Sequence, residues 1–208
     1  TRVARGGSIN MTDATATFPR HRWEALLDAL IRRGGSPHPI WAFARVSDID
    51  EEIARKMAAA NVRHLFIGQE SGDQEMLNRM KKGTRVSHVR PAVAALDRHG
   101  IVATFGMIHG FPGETAASIE ATRRLLATIN EGFDGRPTVL MYGLGPFFLL
   151  DFAAVNQAAG VRQGEHYLDY DAGEFTAEQI ARECLRTVVE VSKVPHAPVW
   201  GFVLVKSP

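Results

Sequence analysis

The chain has 208 residues, enough for one large domain with a sizeable hydrophobic core, and its composition is that of an ordinary globular protein. Its formal net charge is +1 with both signs interspersed, which argues against a surface for nucleic acid or an anionic membrane. No apolar run approaches the roughly 20 residues of a membrane span, and the single cysteine, Cys184, excludes a disulfide framework and any multi-cysteine metal site within this sequence. We expect a cytoplasmic protein.

Both ends of the sequence look cut. The chain opens with Thr1 instead of methionine and has no signal-like segment there, and it stops inside an apolar run over 199–205. We expect it to be a piece of a longer protein.

Segments with strand and helix character alternate along the chain. Apolar segments predict strands near 9–11, 40–46, 65–67, 101–108 and 137–144, and the third is continuously apolar, as in a parallel strand covered on both faces. Apolar residues at helical spacing predict helices over 21–33, from a capping pattern at Ser47 to Asn61, near 76–80, and over 87–98, 115–130 and 178–193. Residues 164–175 are predicted to form an acidic, aromatic loop.

This alternation is typical of parallel β-α units and predicts an α/β protein. Five consecutive units favour a barrel or open barrel over a doubly wound sheet. We divide the chain into a core over 1–148 and a C-terminal extension of mixed structure over 149–208. Residues 163–175 and the last apolar run are expected to help close the mouth of the barrel.

Polar or glycine-rich residues follow each predicted strand, at the carboxyl ends where active sites of parallel β-α folds lie. They are Asp13, Arg45, Glu70 with Ser71, the glycine turn 109–114, and Tyr142. The glycines of Gly106-Met-Ile-His-Gly-Phe-Pro-Gly-Glu-Thr115 allow backbone to approach a ligand, and Thr115 can cap the next helix. Carboxylates suit ammonium and hydroxyl groups, while Arg45 and Lys82 suit a carboxylate. The residues alone therefore predict a barrel enzyme for a zwitterionic or sugar-bearing ligand, with the reaction and the catalytic residues unspecified.

Five motifs in the same order resemble those of the radical S-adenosylmethionine (radical SAM) enzymes. They are Ile9-Asn-Met-Thr-Asp13, Trp41-Ala-Phe-Ala-Arg-Val-Ser-Asp-Ile-Asp50, Ile67-Gly-Gln-Glu-Ser-Gly72, Leu77-Asn-Arg-Met-Lys-Lys-Gly-Thr84 and Met107-Ile-His-Gly-Phe-Pro-Gly-Glu-Thr115. They look most similar to the branch that often carries an upstream cobalamin-binding domain. The resemblance implies a partial (β/α)6 TIM-like barrel with strands 2 to 6 present and the first β-α unit missing.

The resemblance also implies a chemistry. S-adenosylmethionine (SAM) on a 4Fe-4S cluster would be cleaved reductively to a 5′-deoxyadenosyl radical that abstracts a hydrogen atom from the substrate, with cobalamin as a further cofactor for methyl transfer or rearrangement. The implied partners are a small-molecule or peptide substrate and an electron donor such as flavodoxin or ferredoxin.

The resemblance implies which residues would contact SAM, when the family's contacts are carried over to the matching positions of this sequence. Asp13 would face the amino group, and Arg45 and Lys82 the carboxylate of its methionine part. Glu70 and Ser71 would lie near the ribose. The backbone of Gly106, Ile108 and Gly110 would pass against the adenine, with Tyr142 flanking it.

One feature departs from the family pattern, because the Cys-x3-Cys-x2-Cys loop that holds the cluster is missing from this sequence. No residue here is assigned as a metal ligand, and we expect the cluster cysteines upstream in a longer chain. A degenerate, non-catalytic relative that binds a nucleoside is one alternative. A barrel hydrolase or lyase using Glu70 and Asp13 as acid and base is another.

Overall fold

Strands and helices alternate as the hydrophobic periodicity predicts. A computed structural model describes residues 7–130, 140–147, 162–163, 170–171, 174–192 and 199–201. The strands are β1 (Ile9–Asn10), β2 (Ile40–Ala44), β3 (Val62–Glu70), β4 (Val102–His109), β5 (Leu140–Pro146), β6 (Arg162–Gln163), β7 (Tyr170–Asp171) and β8 (Val199–Gly201). The helices are α1 (Arg20–Arg32), α2 (Glu51–Ala59), α3 (Gln74–Arg79), α4 (Val89–Arg98), α5 (Ala116–Asn130) and α6 (Ala177–Ser192).

Six strands form one parallel sheet in the order β1-β2-β3-β4-β5-β8, while β6 and β7 form a separate antiparallel pair. The first five strands of the sheet are those that the sequence predicts, and residues 137–139 of the fifth prediction lie outside the described residues. Strand β8 belongs to the last apolar run and pairs with β5. The sheet therefore continues past residue 148, and the division of the chain at that point stays a prediction.

The hydrophobic core lies between the sheet and its helices. Trp23 and Leu27, one helical turn apart on α1, are 1% and 0% exposed, and Ile67 and Phe105 on the central strands are both fully buried. Burying one such side chain stabilises the fold by about 1.5–3 kcal/mol, so this layer holds the β-α units in place.

The opposite face of the sheet carries an aromatic cluster. Trp41 and Phe43 share this face because they are two residues apart on β2, and their ring centroids are 4.7 Å apart. Phe66 on β3 lies 5.4 Å from Phe43. All three rings are half-buried, and the polar residues of the candidate site lie beyond them at the carboxyl ends of the strands.

Two local predictions are wrong. Asp50, and not Ser47, caps α2, since the Asp50 carboxylate accepts a hydrogen bond from the Ile53 N–H at 2.9 Å, while Ser47 lies in a short 3-10 turn. The second is the loop over 164–175, within which Tyr170 and Asp171 form β7. Along the described part of the chain, no helix has the length and apolar character needed to cross a membrane.

Candidate functional site

The carboxyl end of β3 carries an ion pair. Glu70 adopts φ +68°, a left-handed conformation that is uncommon without glycine, and its Oε1 accepts a hydrogen bond from Lys82 Nζ at 2.9 Å. A Cβ at Gly68 would lie 2.6 Å from Glu70 Oε1, so the glycine leaves room for the carboxylate. The side chains of Lys82 and Glu70 are 31% and 23% exposed, so a ligand can reach both.

β3 and β4 part beside this ion pair. Pairing of β3 with β4 ends at Met107, after a register irregularity that precedes Glu70. Pairing of β4 with β5 continues to His109. The backbone of residues 108–110 therefore lies past the end of the β3–β4 ladder, beside Glu70, and Ile108 can offer its amide and carbonyl groups to a ligand there.

Glycines align across the sheet just before this point. Gly106 on β4 pairs with Gly68 on β3 and with Gly143 on β5. A Cβ at Gly106 would lie 2.8 Å from the Phe66 ring, so this glycine leaves room for that ring. Tyr142 pairs through its backbone with Phe105. Its side chain lies outside the described residues, and its contact with a cofactor stays a prediction.

Hydrogen bonds among its own residues stabilise the turn between β4 and α5. Gly110 has φ +89°, which favours glycine, and its N–H donates to the Glu114 carboxylate at 3.2 Å. Glu114 is 2% exposed; burial raises its pKa, and hydrogen bonds from Ser118 and Gly110 act against that rise. Thr115 caps α5, as predicted, because its hydroxyl accepts the Ser118 N–H at 3.1 Å.

Asp13 and Arg45 are each paired with a neighbour. Asp13 accepts a hydrogen bond from Arg22 at 2.7 Å. Arg45 contacts Asp48 at 3.1 Å and lies 4.2 Å from the centre of the Phe18 ring. Because partly exposed pairs of this kind contribute at most about 1 kcal/mol, a ligand can replace either partner at modest cost.

Ser71 is turned away from the rim. Its side chain is 1% exposed, and its hydroxyl accepts the Asp73 N–H at 3.1 Å and lies 3.4 Å from the Thr122 hydroxyl on α5. The Ser71 side chain therefore supports the loop that presents Glu70. Its predicted contact with ribose finds no support in this geometry.

The residues at the carboxyl ends of β3 and β4 fit a nucleoside with charged groups, but the described residues do not fit an iron–sulfur cluster. Among those residues, no group of three or more His, Cys, Asp or Glu side chains could hold a metal ion. Cys184 is 1% exposed on α6, and burial, with the nearby Glu114 and Glu183 charges, raises its pKa to about 12. A neutral, buried thiol of this kind is a packing residue.

A buried polar network lies on the other face of β4. His109 is fully buried and its Nε2 hydrogen-bonds to the Thr187 hydroxyl at 3.1 Å. Arg123 donates to the same hydroxyl at 2.9 Å and forms an ion pair with Glu183 on α6. His109 therefore faces the helices and not the candidate site.

Burial, with the positive charge of Arg123, lowers the pKa of His109 from 6.5 to about 4. Between pH 6.5 and about pH 4 the unfolded chain binds more protons than the folded one. The free energy of unfolding therefore rises with pH across this window and falls on acidification. We predict that lowering the pH from about 7 to about 5 costs the natural protein about 2 kcal/mol more stability than it costs a His109→Gln variant. Urea unfolding at both pH values measures this difference, and parallel losses in the two proteins would contradict it.

Two residues that tie neighbouring elements together around the site carry no clear signal in the sequence. Tyr170 donates to the carbonyl oxygens of Gly110 and Phe147, and Arg123 ties α5 to α6. Tyr170 is part of the predicted loop, where an aromatic residue in an acidic segment is its only signal.

The chain matches one family over most of the region just described. A family model for the radical SAM superfamily matches residues 2–126. Among curated proteins, the anaerobic magnesium-protoporphyrin IX monomethyl ester cyclase of Rubrivivax gelatinosus is 28% identical over 122 residues, which cover 57% of this chain and 22% of the cyclase.

Solved structures show the same fold. The radical S-adenosylmethionine methyltransferase TsrM from Kitasatospora setae, determined with cobalamin and a 4Fe-4S cluster bound, has a TM-score of 0.62 and 21% identity, over 77% of this chain and 32% of TsrM. Coproporphyrinogen III oxidase (HemN) from Escherichia coli, described as a radical SAM enzyme, has a TM-score of 0.63 and 15% identity, over 88% of this chain and 40% of HemN.

These similarities confirm the predicted partial TIM-like barrel. The chain spans about a fifth of the cyclase and between about a third and two fifths of the two solved proteins. Because the family model covers more than half of the chain, this protein belongs to the radical SAM superfamily.

Proposed function

We propose that this chain is the SAM-binding part of a radical SAM enzyme. The observation that carries the proposal is the position of the Glu70–Lys82 ion pair beside the backbone of 108–110, at the point where β3 and β4 separate. Family membership supports it independently.

In this proposal Glu70 accepts hydrogen bonds from the ribose hydroxyls, because a partly buried carboxylate with access to solvent is a strong acceptor. The Lys82 ammonium holds Glu70 in place and has further N–H donors for the carboxylate of SAM. The backbone of Gly106, Ile108 and Gly110 lies against the adenine.

Asp13 and Arg45 complete the proposed site at the ends of the two preceding strands. Asp13 would release Arg22 and accept a hydrogen bond from the amino group of SAM instead. Arg45 would donate hydrogen bonds both to Asp48 and to the SAM carboxylate. Tyr142 stays a predicted flanking residue.

In this proposal residues outside these 208 hold the cluster, since the chain contains one cysteine and the family pattern has three. A bound cluster would supply the electron that cleaves the sulfonium bond of SAM to give a 5′-deoxyadenosyl radical. The residues of this chain would orient SAM and shield it from water. TsrM was solved with cobalamin, and we include cobalamin as a second cofactor to be tested.

The predicted partners belong to the same proposal: a small-molecule or peptide substrate, and a flavodoxin or ferredoxin as electron donor in the cytoplasm. The alternative of a hydrolase with Glu70 and Asp13 as an acid–base pair gains no support, because each carboxylate is paired with its own cation.

The test uses the complete natural protein, purified and reconstituted with iron and sulfide without oxygen. We expect dithionite and SAM, with or without cobalamin, to give 5′-deoxyadenosine with methionine, or S-adenosylhomocysteine when methyl transfer occurs. A reconstituted protein with an intact cluster absorption that forms none of these products would overturn the proposal.

A further inference from the structure

We propose that Tyr170, from the C-terminal extension, is a positioning residue that holds the glycine turn at the adenine-facing edge of the site. This inference rests on the proposed function, because it identifies the residue that restrains the backbone proposed to contact the adenine. Tyr170 lies 60 residues beyond Gly110 in the chain, in a segment with no family motif.

The Tyr170 hydroxyl joins the ends of two strands. It lies 2.9 Å from the carbonyl oxygen of Gly110, just after β4, and 2.9 Å from the carbonyl oxygen of Phe147, just after β5. A phenol has one proton, so the two acceptors share it. The Phe147 N–H in turn donates to the His109 carbonyl at 2.7 Å, and the two strand ends are therefore tied together twice.

The ring of Tyr170 is fixed by its surroundings. The residue is 3% exposed, and its ring is perpendicular to that of Phe147 with centroids 6.1 Å apart. Burial raises its pKa, with the nearby Cys184 and Glu114 adding to the rise, so the hydroxyl stays protonated and remains a donor at neutral pH. A Cβ at Gly110 would lie 2.8 Å from both the hydroxyl oxygen and Ile180 Cγ2.

Both polar backbone groups of Gly110 are thereby engaged. Its N–H donates to Glu114 and its C=O accepts from Tyr170, which restrains the peptide planes on either side of a residue at φ +89°. The preceding residues, 108 and 109, are the ones whose backbone extends past the β3–β4 ladder. Without the Tyr170 hydroxyl, nothing else among the described contacts holds the Gly110 carbonyl, so the adenine-facing backbone would sample more conformations before binding.

The test compares Tyr170→Phe with Ile180→Val in the complete reconstituted protein. The first variant removes the hydroxyl and keeps the ring. The second removes one methyl group from the side chain that packs on the same glycine and keeps the hydroxyl. Affinity for S-adenosylhomocysteine is measured by anaerobic calorimetry, and Tm and hydrogen exchange across 105–114 are measured on the same samples.

We expect Tyr170→Phe to bind S-adenosylhomocysteine about three- to tenfold more weakly, as the loss of one hydrogen bond predicts, with faster exchange in the turn. Ile180→Val should lower Tm and leave the affinity within about twofold of the natural protein. If Tyr170→Phe lowers Tm and keeps its affinity, Tyr170 is only a packing residue and the inference is overturned. A natural protein that does not bind the nucleoside at all would instead overturn the proposed function and this inference with it.

Discussion

A Gly72→Ala variant is expected to lose about 3 kcal/mol or more of folding stability. A Cβ at this position would lie 2.6 Å from both the Ala121 carbonyl oxygen and Thr122 Cα on α5. These are helix backbone atoms, so no side-chain rotation can relieve the clash, and the loop after β3 and the helix have to move apart. The same movement would break the hydrogen bond from the Gly72 N–H to the Thr122 hydroxyl at 2.9 Å.

Gly7→Ala is the matched control for this substitution. The nearest atoms to a Cβ at this position belong to the His38 ring at 3.9 Å, which is an ordinary van der Waals distance. The free energy of unfolding of Gly7→Ala should therefore stay within about 0.5 kcal/mol of that of the natural protein. Urea unfolding measures both variants. A loss below about 1 kcal/mol in Gly72→Ala would show that the loop and α5 are not packed as closely as described.

The second large effect is expected on binding. We predict that Glu70→Ala weakens the affinity for SAM by about 10- to 100-fold, because hydrogen bonds to a charged group contribute about 1.5–3 kcal/mol. Stability should change by no more than about 1 kcal/mol, since the Glu70–Lys82 pair keeps access to solvent. The substitution thus separates a ligand contact from a structural role.

Glu75→Ala provides the control, because Glu75 is an exposed carboxylate in the first turn of α3, five positions along the chain. Its SAM affinity should match that of the natural protein in calorimetric titrations of the reconstituted enzyme. Equal affinities for Glu70→Ala and the natural protein would remove Glu70 from the site.

Much of the fold is predictable because burial leaves a periodic signal. Continuous apolar strands such as 65–67 and helix faces such as that of Trp23 and Leu27 indicate parallel β-α units, and the structure confirms them. The cap of α2 is not predictable from the local sequence, because Ser47 and Asp50 both suit a cap. In the structure Ser47 lies within the 3-10 turn over Val46–Asp48, and Asp50 is therefore the residue that caps α2.

The candidate site is less predictable from sequence, since side-chain partners depend on three-dimensional geometry. Position along the motifs places Glu70 and Lys82 at the rim, but their mutual ion pair follows from the left-handed conformation of Glu70 and the space above Gly68. The inward turn of Ser71 depends on α5, and the role of Tyr170 depends on a segment with no periodic pattern. Contacts between distant segments leave little trace in one sequence.

A hydrogen–deuterium exchange footprint of the complete reconstituted protein, with and without S-adenosylhomocysteine, tests the position of the SAM site most directly. We expect the ligand to slow exchange in the segments 68–72 and 106–110, at the carboxyl ends of β3 and β4, and to leave the opposite ends of these strands unchanged. Protection confined to other segments, with none at 68–72 or 106–110, would contradict the assignment of this edge as the SAM site.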